Sequence, residues 1–241
     1  MNWIKPDWPL PPSVHAAVTL REGGVSVGSY ASLNPAVHVN DNPDHVSINR
    51  QIIRDGLHLP AEPVWLEQVH GVRVIKADQS TELEQADASF TDQSGTVCGV
   101  LTADCLPVLF CGDLGDKIAA AHAGWRGLQA GILIQTVQAM NCQVLSIWLG
   151  PAIGPAHFEV GAEVRDAFCN DDARHAAAFK VSSPGKWQAD IYSLARLQLA
   201  EIGITEIYGG NFCTASDPQR FFSYRRDGAA TGRMASLIWR D

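Results

Sequence analysis

His70, Cys105 and His122 are the residues of this chain whose types can do chemistry together. They stand 35 and 17 residues apart, each beside glycine or alanine: Val69-His70-Gly71, Ala103-Asp104-Cys105 and Ala121-His122-Ala123. Two imidazoles and a thiolate drawn from three separate segments make an N₂S donor set for a divalent ion, with water in the fourth position. Structural zinc closes every position with protein groups, so an open set suits catalysis. These intervals match no zinc-finger pattern, and a plainer reading stands beside the first. In it His122 is a hydrogen-bonded core histidine, His70 an exposed turn residue and Cys105 filler. Asp104 is an acceptor for the ring N–H of a ligating histidine, or a turn residue. A different chemistry also fits, a metal-independent hydrolase with Cys105 as nucleophile and His122 as base.

Arg126 follows His122 by four residues and falls in the first turn of a helix read over Trp125–Asn141. Unpaired backbone donors and a guanidinium there form an anion site beside the ion, or the arginine is simply solvated. Arg21, in the glycine turn Arg21–Ser26, and Arg225 offer the same function, and surface ion pairing explains them equally well.

The elements that must position these groups are short apolar runs bounded by glycine and proline, read as buried strands. The stretch Val97–Gly127 carries two of them and is interrupted by Thr102-Ala103-Asp104-Cys105. An acid and a thiol inside such runs are costly unless paired, which marks the interruption as a site. Upstream, Val14–Thr19 reads as a strand, Gly28–Asn42 as a long ordered loop, and Asn42-Pro43 as the capped start of a helix ending at Gly56. Val64–Val74 reads as a strand pair or bent strand and Ala86–Phe90 as a short strand. Downstream come a strand at Val144–Leu149 and helices at Ala162–Phe168 and at Asp190–Ile202, the last with Asp190 as N-cap. Ile204–Tyr208, Phe221–Tyr224 and Met234–Trp239 read as closing strands, and the Pro/Trp-rich start as an extended surface segment. Without strict strand–helix alternation, the expectation is one α+β domain over residues 1–241, with mixed sheets flanked by helices.

Composition bounds the function. The 241 residues are 46% hydrophobic and 18% charged, an ordinary globular balance. A net charge of −8 without a basic run gives no support for nucleic-acid or membrane-surface binding. No GxGxxG or GxxxxGK[ST] follows a strand, so nucleotide cofactors by those routes are unsupported. Val97–Cys111 is too short and too polar for a membrane span, and the first residues do not read as a signal peptide. Six cysteines without CxxC pairs suggest reduced thiols, most of them core residues, in a cytoplasmic protein.

At these positions the chain resembles the YfiH family, also called the laccase-domain or peptidoglycan-editing-factor family. The matching blocks are Arg21–Ser26 with Ser32-Leu33-Asn34, Asp41–Val46, Trp65–Gly71 with Gln68 and His70, and Ala86-Asp87-Ala88. They continue through Thr102–Val108, Ala121–Gly127, Leu149–Gly154 and Phe222–Arg226, in family order. The resemblance implies two mixed sheets with flanking helices and a zinc ion held by His70, Cys105 and His122. It implies phosphorolysis of adenosine, inosine, guanosine and methylthioadenosine, with deamination of adenosine. Purine nucleoside and phosphate are then the partners, and Arg21, Asn34, Gln68, Asp104, Arg126 and Arg225 the candidate contacts to them. Polyphenol oxidation and editing of peptidoglycan precursors are also ascribed to the family. Histidines at 15, 38, 45, 58, 70, 122, 157 and 175 include no His-x-His pair, so a trinuclear laccase cluster within the chain is not supported. Cu²⁺ in the N₂S set stays open, because such donors prefer it to Zn²⁺ on affinity.

Overall fold

A computed structural model describes residues 2–142 and 144–241. Two sheets face each other across an apolar layer. The first has four antiparallel strands in the order Trp3–Ile4, Val14–Thr19, Met234–Arg240, Val97–Thr102. The second has six, in the order Ile207–Gly209, Val144–Leu149, Leu106–Gly112, Ile118–Ala123, Ala88–Thr91, Val74–Lys76. Its centre is antiparallel and both of its edges are parallel.

Alternation along the strands decides which side chain enters which layer. Leu109, Cys111, Ile118 and Ala120 pack with Val18, Val100 and Ile238 between the sheets. Leu106, Val108, Phe110 and Ala121 face the other way, onto the helices Ile132–Met140 and Ile191–Glu201. On the outer face of the four-stranded sheet, Ala17, Leu101 and Leu237 meet Leu33 and Ile53, the latter from the helix Pro43–Gly56. The result is the expected α+β arrangement, helix layer on sheet on sheet on helix layer.

The local signals explain most of the elements. Asn42 caps its helix by accepting from the Asp44 N–H, with proline in the first turn. Asp190 caps Ile191–Glu201 by accepting from Tyr192 and Ser193. Four expectations are corrected. The helix read over Trp125–Asn141 is broken into Trp125–Gln129 and Ile132–Met140 by Gly131, whose φ of 93° lies in the left-handed region. Phe221–Tyr224 is not a strand: Phe221 and Phe222 are fully buried plugs between the sheets, and Ser223 caps a helical turn at Tyr224–Asp227. The N-terminal segment is partly interior, because Trp8 is buried and its indole donates to Ser146 at 2.7 Å. All six cysteines are unpaired, but only Cys98 and Cys111 are buried.

Candidate metal centre and its cavity

The segment Thr102–Cys105 is where the chain leaves the four-stranded sheet and enters the six-stranded one. Cys105 therefore sits at a seam between sheets. His122 lies near the end of Ile118–Ala123, opposite Pro107. His70 comes from the loop before Val74–Lys76. Their ligand atoms all lie within 4.8 Å of one another, with Cys105 Sγ 3.8 Å from His70 Nε2. The two imidazole rings meet edge to face at 4.7 Å between centroids.

One buried carboxylate organises both histidines. Asp87 immediately precedes the strand paired with that of His122, so the His122 N–H donates to the Asp87 carbonyl at 2.7 Å. The His122 Nδ1 lies 2.8 Å from Asp87 Oδ1, which fixes the tautomer and turns Nε2 toward Cys105 and His70. The same carboxylate accepts the N–H groups of Val69, His70 and Gly71 at 3.2, 2.9 and 2.6 Å. Those bonds hold His70 at a φ of 61°, where a residue with a Cβ pays a conformational cost.

A second buried carboxylate fixes Cys105. Asp104 has a φ of 87°, and the turn directs its carboxylate away from the histidines. It accepts from Thr214 Oγ1 at 2.5 Å, Ser223 Oγ at 3.0 Å and the Arg225 N–H at 2.6 Å. The role expected of Asp104 as acceptor for a ligand's ring N–H thus belongs to Asp87. The Ala86-Asp87-Ala88 setting repeats the small flanks of His122, and is the sequence signal that marks Asp87.

The donor set fits a divalent ion. Bonds of ~2.0–2.3 Å in a tetrahedron put ligand atoms ~3.3–3.8 Å apart; here the sulfur–nitrogen separation is 3.8 Å and all three atoms lie within 4.8 Å, so a small inward shift of the side chains closes them on one ion. Gly124 makes the approach possible: a Cβ there would stand 2.6 Å from His70 Cδ2 and 3.2 Å from Cys105 Sγ. Without an ion the groups charge each other. Burial raises the Cys105 thiol, but the His122 and His70 imidazoles outweigh it and bring it down to about 6. Burial lowers His122, yet the Cys105 thiolate and Asp87 raise it to about 9. Burial pushes the Asp87 carboxyl up, and hydrogen bonds from His122 and the Gly71 and His70 N–H groups hold it below the usual range. Cys98, buried without such partners, is pushed up to about 12.

The trio lines a cavity of about 460 Å³. Trp125, Ile153, Phe158, Ile191 and Tyr224 give it apolar and aromatic walls, and Arg126, Arg225, Arg233 and His38 bring it donors. Among the expected contacts, Arg126 lines the cavity with its guanidinium 4.3 Å over the Trp125 ring. The helix behind it has five residues, so an anion there would rely on side chains and not on a long helix dipole. Arg225 lines the cavity while its Nη1 donates to the His157 and Glu159 carbonyls, both at 3.0 Å. Gln68 lines it too, but its amide is paired on both sides with the Leu101 backbone. Arg21 is elsewhere, donating to Ala31 O and Pro218 O over the Phe222 ring. Asn34 is fully buried and bonded to Ala36, Asp41 and the Arg233 N–H. Sequence reasoning singled out neither Arg233 nor His38, since each comes from a loop with no local motif.

Fold and site together define a class: an α+β protein with a His-Cys-His group able to hold a metal ion at the edge of an aromatic, arginine-bearing cavity. A family described as multi-copper polyphenol oxidoreductase laccase matches residues 15–241. Purine nucleoside phosphorylase YfiH of Escherichia coli is 54% identical over 239 residues, with 98% of each chain covered. A Neisseria meningitidis protein of solved structure superposes with a TM-score of 0.96 at 48% identity over the whole of both chains. YlmD from Geobacillus stearothermophilus gives a TM-score of 0.90 at 30% identity, covering 100% of this chain and 96% of its own. The chain belongs to this laccase-domain family, the family of YfiH. No helix among the described residues is long and apolar enough to cross a membrane.

Proposed function

We propose that the chain is a zinc-dependent purine nucleoside phosphorylase acting on adenosine, inosine, guanosine and methylthioadenosine, with deamination of adenosine as a second outcome at the same site. The observation that carries this reading is the junction of two environments in one cavity, a His70-Cys105-His122 donor set beside aromatic walls and arginines that form no ion pair among the described residues. The relatives named purine nucleoside phosphorylase support it, the Escherichia coli protein among them.

Phosphorolysis joins a phosphate oxygen to C1′ of the ribose and breaks the bond from C1′ to the purine nitrogen. The bonding pair leaves with the base, which takes up a proton. Trp125 and Phe158 offer ring faces for the purine, and Ile153 and Ile191 exclude water from the bond being broken. Arg126, stacked on Trp125, places a cation beside the base. When held by His70, Cys105 and His122, zinc supplies a Lewis acid that polarises an oxygen or acidifies water. Asp87 keeps the two imidazoles aimed, and Asp104 keeps the thiolate in place.

A second reading has one observation in its favour. Asp87, His122 and Cys105 stand in the order of orienter, base and nucleophile, as a thiol hydrolase of peptidoglycan precursors would need. The second imidazole at 3.8 Å from the sulfur is surplus to that mechanism and necessary to a metal site, so the metal reading is preferred. Copper in the same donors, giving a polyphenol oxidase, has no such observation behind it. The test is mass-spectrometric product analysis of zinc-loaded protein with adenosine, with and without phosphate. Adenine and ribose 1-phosphate are expected with phosphate, and inosine reports deamination. Absence of all three products overturns the proposal. EDTA should stop turnover; survival in EDTA with loss to iodoacetamide would favour the hydrolase.

A further inference from the structure

We infer that Arg233, with His38 beside it, is the phosphate-binding element of the cavity. The inference rests on the phosphorolytic reading above and names the residues that would take the oxyanion.

Charge balance is the first ground. In a chain of net charge −8, three arginines line this one cavity, and the only carboxylate among its lining residues is Asp104. That carboxylate is saturated by Thr214, Ser223 and the Arg225 N–H. Arg126, Arg225 and Arg233 form no ion pair among the described residues. Three guanidiniums against the Cys105 thiolate and Asp104 leave the lining with an excess of positive charge, which suits an anion.

Burial separates Arg233 from the others, which are exposed where Arg233 is half-buried. Its Nη1 is anchored on the Thr231 and Gly232 carbonyls at 2.8 and 3.0 Å, which leaves Nε and Nη2 without a protein partner among the described residues. That is the two-pronged edge that pairs with two phosphate oxygens. Arg225 keeps the same edge, its Nη1 being tied to the His157 and Glu159 carbonyls, but it is exposed, as is Arg126 over the Trp125 ring.

The mounting is rigid. Asn34 Oδ1 accepts the Arg233 N–H at 3.1 Å, and Asn34 itself is held by Asp41 at 2.9 Å. Asn49 ties Ser26, Ser32 and Asn34 into the same network. Thus the Gly28–Asn42 loop that carries His38 and the backbone of Arg233 are braced by one buried amide cluster. The candidate contact Asn34 acts on substrate through Arg233, as a positioning residue. Burial lowers the Arg233 guanidinium, opposed first by the Cys105 thiolate, and His38, lowered by burial, feels Arg233 before His122, Arg50 and His70. Both groups line one cavity with the donor trio. Burial, and then Arg233, lower His38; with or without its charge an imidazole keeps a ring N–H to donate to phosphate.

The experiment is calorimetric binding of inorganic phosphate, and separately of adenosine, to the zinc-loaded chain and to R233M, R233K and H38N. Loss of a charge-assisted pair predicts roughly 10- to 100-fold weaker phosphate binding in R233M. R233K should lose about 5- to 10-fold, since it keeps the charge without the fork, and H38N about 3- to 10-fold. Adenosine affinity should stay within about 2-fold in every variant, which also reports an intact fold. H38N removes no protein hydrogen bond among the described residues, so it remains decisive if R233M fails to fold. Unchanged phosphate affinity in a variant that binds adenosine overturns the assignment, as does a parent chain that binds no phosphate. A parent that binds phosphate through Arg233 yet splits no nucleoside leaves this site standing and removes the phosphorylase reading instead.

Discussion

Replacing Asp87 with asparagine isolates the group that aims both histidines. The carboxylate is fully buried and accepts four hydrogen bonds, from His122 Nδ1 and from the N–H groups of Val69, His70 and Gly71. An asparagine offers one acceptor oxygen, and its NH₂ must face donors on the other side. Either His122 loses the partner that fixes its tautomer, or the left-handed turn at His70 loses its brace. Such an orienting partner is worth about 10- to 100-fold in metal affinity, or ~1.4–2.7 kcal/mol. Stability should fall further, because breaking a buried charged pair costs about 3–5 kcal/mol. Competition with a chromophoric zinc chelator measures the first quantity, and denaturant unfolding of the metal-free protein the second. The sign with pH is also fixed. The Asp87 carboxyl is held below its ordinary value, so its stabilisation is present above about pH 4 and is lost as the pH falls through the folded-state value. D87N should lack that acid-labile component. A D87N chain that binds zinc as tightly as the parent would refute the reasoning.

Three further outcomes follow from the same geometry. In metal-free protein, iodoacetamide should label Cys105 with a pH midpoint near the value of about 6 set by the two imidazoles, slow below it and fast above it. Peptide mapping reads this, and a midpoint near that of an ordinary thiol would contradict the paired state. G124A should lose zinc while staying folded, because the added Cβ meets His70 and Cys105 at 2.6 and 3.2 Å and not the apolar core; metal content by mass spectrometry decides. D104N removes charge from three donors at once and should lower stability by roughly 2–4 kcal/mol, read by thermal unfolding. An unchanged midpoint there would mean that Asp104 does not hold the turn before Cys105.

The legible part of the fold was that governed by local chemistry. Asn42-Pro43 and Asp190 announce helix starts because their side chains cap the nearest N–H groups. The apolar runs around Leu106 and Ile118 announce strands because both of their faces are buried. His70, Cys105 and His122 stand out as polar atoms in apolar or glycine-rich settings. What was not legible depends on register and on distant partners. Asp87 acts on His122 because two strands pair in a particular alignment, and Asp104 turns away because Thr214 and Ser223 wait more than a hundred residues later. Phe221 and Phe222 read as strand residues by composition, yet they plug the space between sheets that other segments define. Arg233 gains its place through Asn34, 199 residues distant, a contact no local pattern records.

The central claim is that His70, Cys105 and His122 share one divalent ion. X-ray absorption at the zinc edge of the purified chain, with metal content measured on the same sample, tests it most directly. The account predicts one zinc per chain with a single sulfur at ~2.3 Å and nitrogen or oxygen neighbours at ~2.0–2.1 Å, and loss of the sulfur shell in C105A. A shell without sulfur, or zinc retained unchanged by C105A, would contradict it.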